Sequence, residues 1–247
     1  MANTCAICGA TINVLQSQKL MDGNYICTKG CRAKGLKYYD YVHSDLDNVK
    51  DHIHQTEVGT KVWQDLMEPL KKTRDKNQKM QSFRPIYIAP SLGLIAVIEA
   101  RGGLFNTKTY ACVFRLENLQ LYRTERMPAR TSGSDKDKMC VHLGFVHTKG
   151  LNDVYIPFDS ETDCHQCVDY LNKLFGLDDS FRSGIKKSVT QFKATKSMWD
   201  LAKAKKSGEN LEEKAKATVD AFGATIIGDR TQFKDAADQA LAGYDLD

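Results

Sequence analysis

The chain has 247 residues, of which 42% are hydrophobic and 27% charged, with a formal net charge of +4. That length supports one large core or two to three small ones, and no apolar run is long enough to span a bilayer. The charge is uneven: residues 1–45 carry +2, 46–179 carry 0, 180–217 carry +6 and 218–247 carry −4.

In chain order, the first feature is a set of four cysteines, Cys5, Cys8, Cys27 and Cys31, spaced C-x2-C-x18-C-x3-C. Two thiolates separated by two residues can both turn inward from a tight knuckle, and Gly9 suits that turn. Thr11 to Ile26 reads as a β-hairpin, with Asp22-Gly23 supplying the turn. Cys27 and Cys31 stand at i and i+4, so they share one face of a helix predicted to run on through Arg32 to Val42. Met1-Ala2-Asn3 leads into the first cysteine without an apolar h-region, and the expectation is a cytoplasmic protein with reduced thiols. Four thiolates close a tetrahedral shell, which implies one structural Zn²⁺ and no catalytic position. Lys19, Lys29, Arg32 and Lys34 are placed to offset its negative charge. For about forty residues the metal would supply most of the folding free energy. Residues 1–43 are therefore read as a treble-clef or zinc-ribbon module.

Residues 44–82 read as a helical linker. Ser44 and Asp47 resemble a capping box. Leu46, Val49 and Ile53 mark one helical stripe, and Val62, Leu66 and Leu70 a second. Lys71 to Gln81 is almost wholly polar. His43, His52 and His54 have no cysteine or carboxylate constellation beside them and are read as surface histidines.

From Phe83 the period changes to two. Ile86–Ile88, Leu94–Glu99, Thr109–Arg115, Leu119 with Leu121, Val141 with Leu143 and Phe145, and Val154 with Ile156 belong to about seven short strands. Gly102-Gly103, Ala129 to Lys138 and Lys149-Gly150 supply turns. A helix follows, capped by Ser160 and ended at Gly176. Cys164, Cys167, Val168, Leu171 and Leu174 form its apolar stripe. Cys164 and Cys167 form a second C-x2-C that could be weighed as a metal pair, but the helical spacing assigns them to core packing. Cys112 and Cys140 stand alone. The fold class is thus α+β.

Two resemblances accompany these residues. The order of elements over 83–177 resembles the pleckstrin-homology (PH) superfold, including GRAM-type and bacterial relatives. The N-terminal run CAICGATINVLQSQKLMDGNYICTKGC resembles an uncharacterised zinc-ribbon family of Gram-positive bacteria and their phages. Its features correspond here to Cys5, Cys8, Gly9, Leu20, Asp22, Gly23, Cys27 and Cys31. The second pair departs from that family, being C-x3-C rather than C-x2-C. The resemblance implies a zinc ligand set and a following β-rich, pleckstrin-like region, and it implies no activity.

Residues 178–247 read as an α-helical tail. Ile185, Val189, Phe192 and Trp199 lie on a Lys-rich amphipathic helix over 182–206, then Leu211 to Phe222 and Phe233 to Leu241 on two more. The basic helix could pack internally, bind nucleic acid or lie on anionic lipid. No P-loop, G-x-S-x-G or G-x-G-x-x-G pattern occurs, and the expectation is a protein that is not an enzyme. The leading functional reading is a zinc-binding adaptor with a protein partner. The alternatives are nucleic-acid binding through the ribbon and the Lys-rich helix, and recruitment to anionic membrane. Self-association through the C-terminal helices is a further expectation.

Overall fold

The computed structural model describes residues 3–75, 78–103, 106–128, 135, 137–176 and 230–246. The Lys-rich helix expected at 182–206 and the helix expected at 211–222 lie outside the described residues. The fold is α+β, built from antiparallel sheets and few helices.

At the N-terminus, β1 (Asn3–Thr4) pairs with β2 (Thr11–Ile12), and β3 (Ser17–Lys19) pairs with β4 (Tyr25–Cys27). The expected hairpin around Asp22-Gly23 is present, but its first arm starts at Ser17. Thr11 and Ile12 turn back on β1 instead, and Val14–Gln16 forms a 3-10 turn between them. The helix expected over Cys27 to Val42 does not form. A tight turn at Cys31 and one 3-10 turn, Arg32–Lys34, take its place, and the turn ends at Gly35. The reason is local: the Cys31 amide donates to Cys27 Sγ at 3.1 Å. Gly35 could not carry a side chain either, since a Cβ there would lie 2.3 Å from the Tyr41 hydroxyl and 2.7 Å from the His52 ring.

Helix α1 (Leu46–Val62) is capped by Asp45, whose carboxylate accepts from the Asn48 amide at 2.8 Å, one residue later than the expected Ser44 cap. Its axis continues as a π turn, Trp63–Met67, and a 3-10 turn, Glu68–Lys72, so the second stripe belongs to the same helix. The expected Val62, Leu66 and Leu70 all face the apolar cluster, Leu66 and Leu70 part-buried, and the wider winding adds fully buried Trp63 and Met67 beside Val62.

Seven strands follow. The four-stranded sheet runs β5 (Gln81–Phe83), β6 (Ile86–Ala89), β7 (Leu94–Arg101) and β8 (Lys108–Arg115). The three-stranded sheet has β10 (Met139–Phe145) between β9 (Leu119–Arg126) and β11 (Asp153–Pro157). The sheets face each other across Phe114 and Phe145, whose rings stack at 3.9 Å, among buried Ile95, Val97, Leu119, Val141, Leu143 and Ile156. Leu121 was expected inward with Leu119, yet it is exposed. The β9–β10 register shifts between Gly144 and Phe145, and a one-residue slip sends the next side chain to the opposite face.

The outer face of the four-stranded sheet is also covered. Ala89, Leu94, Ala96, Ile98, Ala111 and Val113 form a second apolar cluster with Val62, Trp63 and Met67. α1 lies along the free edge of β8, where Thr60 Oγ1 accepts from the Ala111 amide at 3.0 Å. A sheet edge is thereby closed by a helix. Helix α2 (Glu161–Leu174) begins where the Ser160 hydroxyl accepts from Asp163, and it buries Cys164, Cys167 and Val168. The C-terminal stretch is a 3-10 turn, Thr231–Phe233, followed by α3 (Lys234–Ala240).

Gly59 is the contact point between α1 and β8, since a Cβ there would lie 2.5 Å from the Ala111 carbonyl oxygen. Glycine to alanine in an exposed helix gains about 1 kcal/mol, but here the clash dominates. Gly59→Ala should lower unfolding stability by at least about 1 kcal/mol in urea titration.

Candidate metal centre

The knuckle forms because the Cys5 carbonyl accepts from the Gly9 amide at 2.9 Å and the Cys5 amide donates to Ala10 at 2.8 Å. Gly9 takes the left-handed backbone (φ 72°) that closes this turn. Ala6 N–H to Tyr25 O, 2.8 Å, ties the two hairpins, and Thr28 N–H to Gln16 O, 2.9 Å, extends the second one past Cys27. That brings Cys27, at the end of β4, opposite the knuckle. A side chain at Gly30 would put a Cβ 2.8 Å from Cys27 Sγ, so the second turn also needs its glycine.

All four sulfurs lie within 4.8 Å of one another. Cys5–Cys31 and Cys8–Cys27 are each 3.8 Å apart. A tetrahedral shell with metal–sulfur bonds of about 2.3 Å spaces its sulfurs about 3.8 Å apart. The donors present therefore fit a divalent metal that accepts four thiolates. Two backbone N–H groups already point at sulfur, Cys27 to Cys5 Sγ at 3.3 Å and Cys31 to Cys27 Sγ at 3.1 Å. Such donors stabilise thiolate charge and orient the ligands. Burial opposes ionisation of Cys5, but the amides of Cys8, Cys27 and Ile7 outweigh it and bring the thiol down to about 6. Burial, followed by its thiol neighbours, drives Cys31 the other way. One thiolate is favoured and the accumulating charge resists the next, a conflict that a dication resolves.

Of the basic residues expected to offset this charge, Lys19, Lys29, Arg32 and Lys34 are all exposed. Lys34 is paired with Glu57 at 3.1 Å, and the Arg32 guanidinium lies over the Tyr41 ring. Cys164, Cys167, Cys112 and Cys140 are buried far along the chain from this cluster. Burial pushes Cys164 up to about 11 and Cys112 and Cys140 up to about 12.

The sequence pattern did not reveal how the cysteine module is seated. Arg101 donates to the carbonyls of Ala33 and Gly35, and its guanidinium also pairs with Glu99 at 2.6 Å. The same Glu99 oxygen, Oε2, also accepts from the Lys37 amide at 2.7 Å, while Oε1 accepts from Arg101 Nε at 2.6 Å. On the other side His52, expected at the surface, is fully buried. Its Nε2 accepts from the Leu36 amide at 2.9 Å, and Tyr39 stacks on the ring at 4.1 Å. His43 and His54 are exposed as expected. At the far end of the hairpin the Asp22 carboxylate accepts from the Leu46 amide at 2.9 Å, which links the turn to the start of α1. The hydrogen bond from the Asn24 side chain, and then that from Leu46, hold Asp22 below the usual carboxylate range. Gly102-Gly103 was the only signal near Arg101, and it was legible merely as a turn.

Comparison with protein families, with curated proteins and with solved structures returned no match. No helix among the described residues is long and apolar enough to cross a membrane.

Two outcomes follow from this geometry. Purified protein should carry about one metal per chain by elemental analysis, and Cys27→Ser should lose it while strands β5–β11 keep a cooperative melt. His52 is lowered to about 4 by burial, which outweighs its contact with Gln55. Between pH 6.5 and 4 the unfolded chain binds the proton that the folded chain refuses, so stability falls as pH falls through that window. The loss contributed by this histidine should be of order 3 kcal/mol. It should shrink in His52→Gln, as read from urea midpoints at pH 7 and pH 4.5.

Proposed function

We propose that this chain is a non-enzymatic adaptor, in which a zinc-stabilised N-terminal module presents a protein-docking surface on a rigid β-sheet base. The observation that carries this reading is the placement of apolar side chains on the cysteine module. Leu15 is 93% exposed, and Val14, Met21 and Val42 are also exposed. Isolated surface aliphatics are ordinary, but four within the first forty-two residues favour a contact surface. Arg101, Glu99 and His52 hold the module to its base, so a partner bound there would meet a fixed surface.

The four-thiolate set supports zinc in a closed, structural role. Four strands, then three strands, then a helix supports a pleckstrin-homology-like reading of residues 83–177, and the cysteine layout supports the resemblance to the phage and Gram-positive zinc-ribbon family. A cytoplasmic location agrees with eight cysteines that are all free thiols. Nucleic-acid binding through the ribbon ranks below protein docking. Bases are commonly gripped by exposed aromatics, and here Tyr39 and Tyr41 are buried.

Leu15→Glu is the test. Crosslinking in the host should capture a specific protein with the native chain and lose it with the variant, while the urea midpoint changes by no more than about 0.5 kcal/mol equivalent. Capture that is unaffected by the substitution removes Leu15 from the docking surface. Filter binding to DNA or RNA that weakens steeply with salt would replace the adaptor reading by a nucleic-acid one.

A further inference from the structure

The outer apolar cluster contains two components with different attachments to the chain. Its floor is Trp63 and Met67 after α1, with Ala89, Leu94 and Ala96 from β6 and β7. Its cover is α3, which reaches it only after residues 177–229 have intervened in sequence. Ala237 in α3 and Leu241 just after it are buried in this cluster, and Phe233, in the 3-10 turn before α3, is buried as well. The floor is smallest where the helix comes closest. A Cβ at Gly93 would lie 2.3 Å from the Phe233 carbonyl oxygen and 3.0 Å from the Ala237 amide.

The rim is matched by charge. Arg115 pairs with Asp238 as well as Glu117, and His54 Nε2 is 3.1 Å from the Asp245 carboxylate. Lys61 lies 5.6 Å above the Tyr244 ring, whose hydroxyl donates to Asp65 at 3.0 Å. Residues 231–246 carry Asp235, Asp238 and Asp245 against Lys234 alone. A helix of seven residues does not persist in water by itself, so α3 forms on its groove. An apolar groove that takes an amphipathic helix by regularly spaced anchors, with charges fixing its direction, is a general mode of peptide recognition.

We propose that this groove is a docking site for short acidic amphipathic helices, that residues 231–246 are its resting occupant, and that a partner protein's helix with the same spacing of aromatic, small and aliphatic anchors displaces them. The displacing helix comes from another protein rather than a second copy. An identical segment from a second copy competes against one held at high local concentration by its own chain. A partner helix gains over it by placing a carboxylate beside Lys61, which faces the Tyr244 ring in the resting arrangement, while keeping acidic contacts to Arg115 and His54.

The probe is a fluorescein-labelled peptide of residues 230–246, followed by anisotropy with full-length protein. In the native chain the groove is filled, and the peptide should bind weakly. Ala237→Arg in the full chain cannot reseat against Gly93, and it should bind the same peptide at least tenfold more tightly than the native chain does. That binding should weaken as salt rises, and it should vanish for a peptide carrying A237R. Equal binding by native and variant chains, or none by a folded variant, overturns the proposal. A second full-length variant, D238A/Y244A, removes rim contacts without placing charge in the groove and should show the same gain in smaller degree. Should both variants lose their cooperative melt, the segment is an inseparable part of the core and the proposal is wrong.

Discussion

Arg101 puts one guanidinium between a carboxylate of its own strand and two carbonyl oxygens of the loop that leaves the cysteine cluster. Few residues could do this. The planar fork satisfies Ala33 and Gly35 while remaining paired with Glu99. Burial makes that pair sensitive to loss of either member, because a partly desolvated charge would remain. His52 closes the other side as a neutral ring whose Nε2 meets the Leu36 amide. Between them, the backbone of residues 33–37 satisfies its polar groups on side chains of β7 and α1. That is why a segment without helix or strand can be held in a defined place. The position of the cysteine module relative to the sheets follows from those few contacts.

A second constraint lies in α1. It is at once the seat of the cysteine module, through His52, the seal on the β8 edge, through Thr60 and Gly59, and part of the outer groove, through Val62, Trp63 and Met67. Three separate surfaces thus share seventeen helical residues and the π turn after them. The extra residue in that turn is functional in the packing sense. Trp63 and Met67 lie fully buried against the sheet there, with Leu66 packed beside them.

Much of this was legible in the residues. The cysteine spacing led to the cluster, the Asp22-Gly23 turn to its hairpin, and alternation to the strands from Ile86 to Ile156. Ser160 and Gly176 marked both ends of α2. What periodicity missed has physical causes. The helix after Cys27 was overruled by amide-to-sulfur bonds, which divert donors that a helix would need. Leu121 was misplaced because a bulge changes side-chain parity without leaving a mark in hydropathy. His52 reads as a surface residue because a polar ring with one acceptor bond and an aromatic neighbour looks, in sequence, like any other histidine. The seating of the module depended on Arg101 and Glu99, some seventy residues from Cys31, and no local pattern reports a contact of that range.

The division of labour between those residues also has a consequence in time. All four sulfur donors lie within the first thirty-one residues, whereas the fork that seats them is Arg101. At a synthesis rate of about 5–20 residues per second, roughly 4–14 s separate the emergence of Cys31 from that of Arg101. A nascent chain can therefore gather its thiolates around an ion before the sheet exists to receive them. If the knuckle closes first, assembly adds the base to it, and starvation for the ion during translation would leave a completed sheet facing an unfolded N-terminal segment.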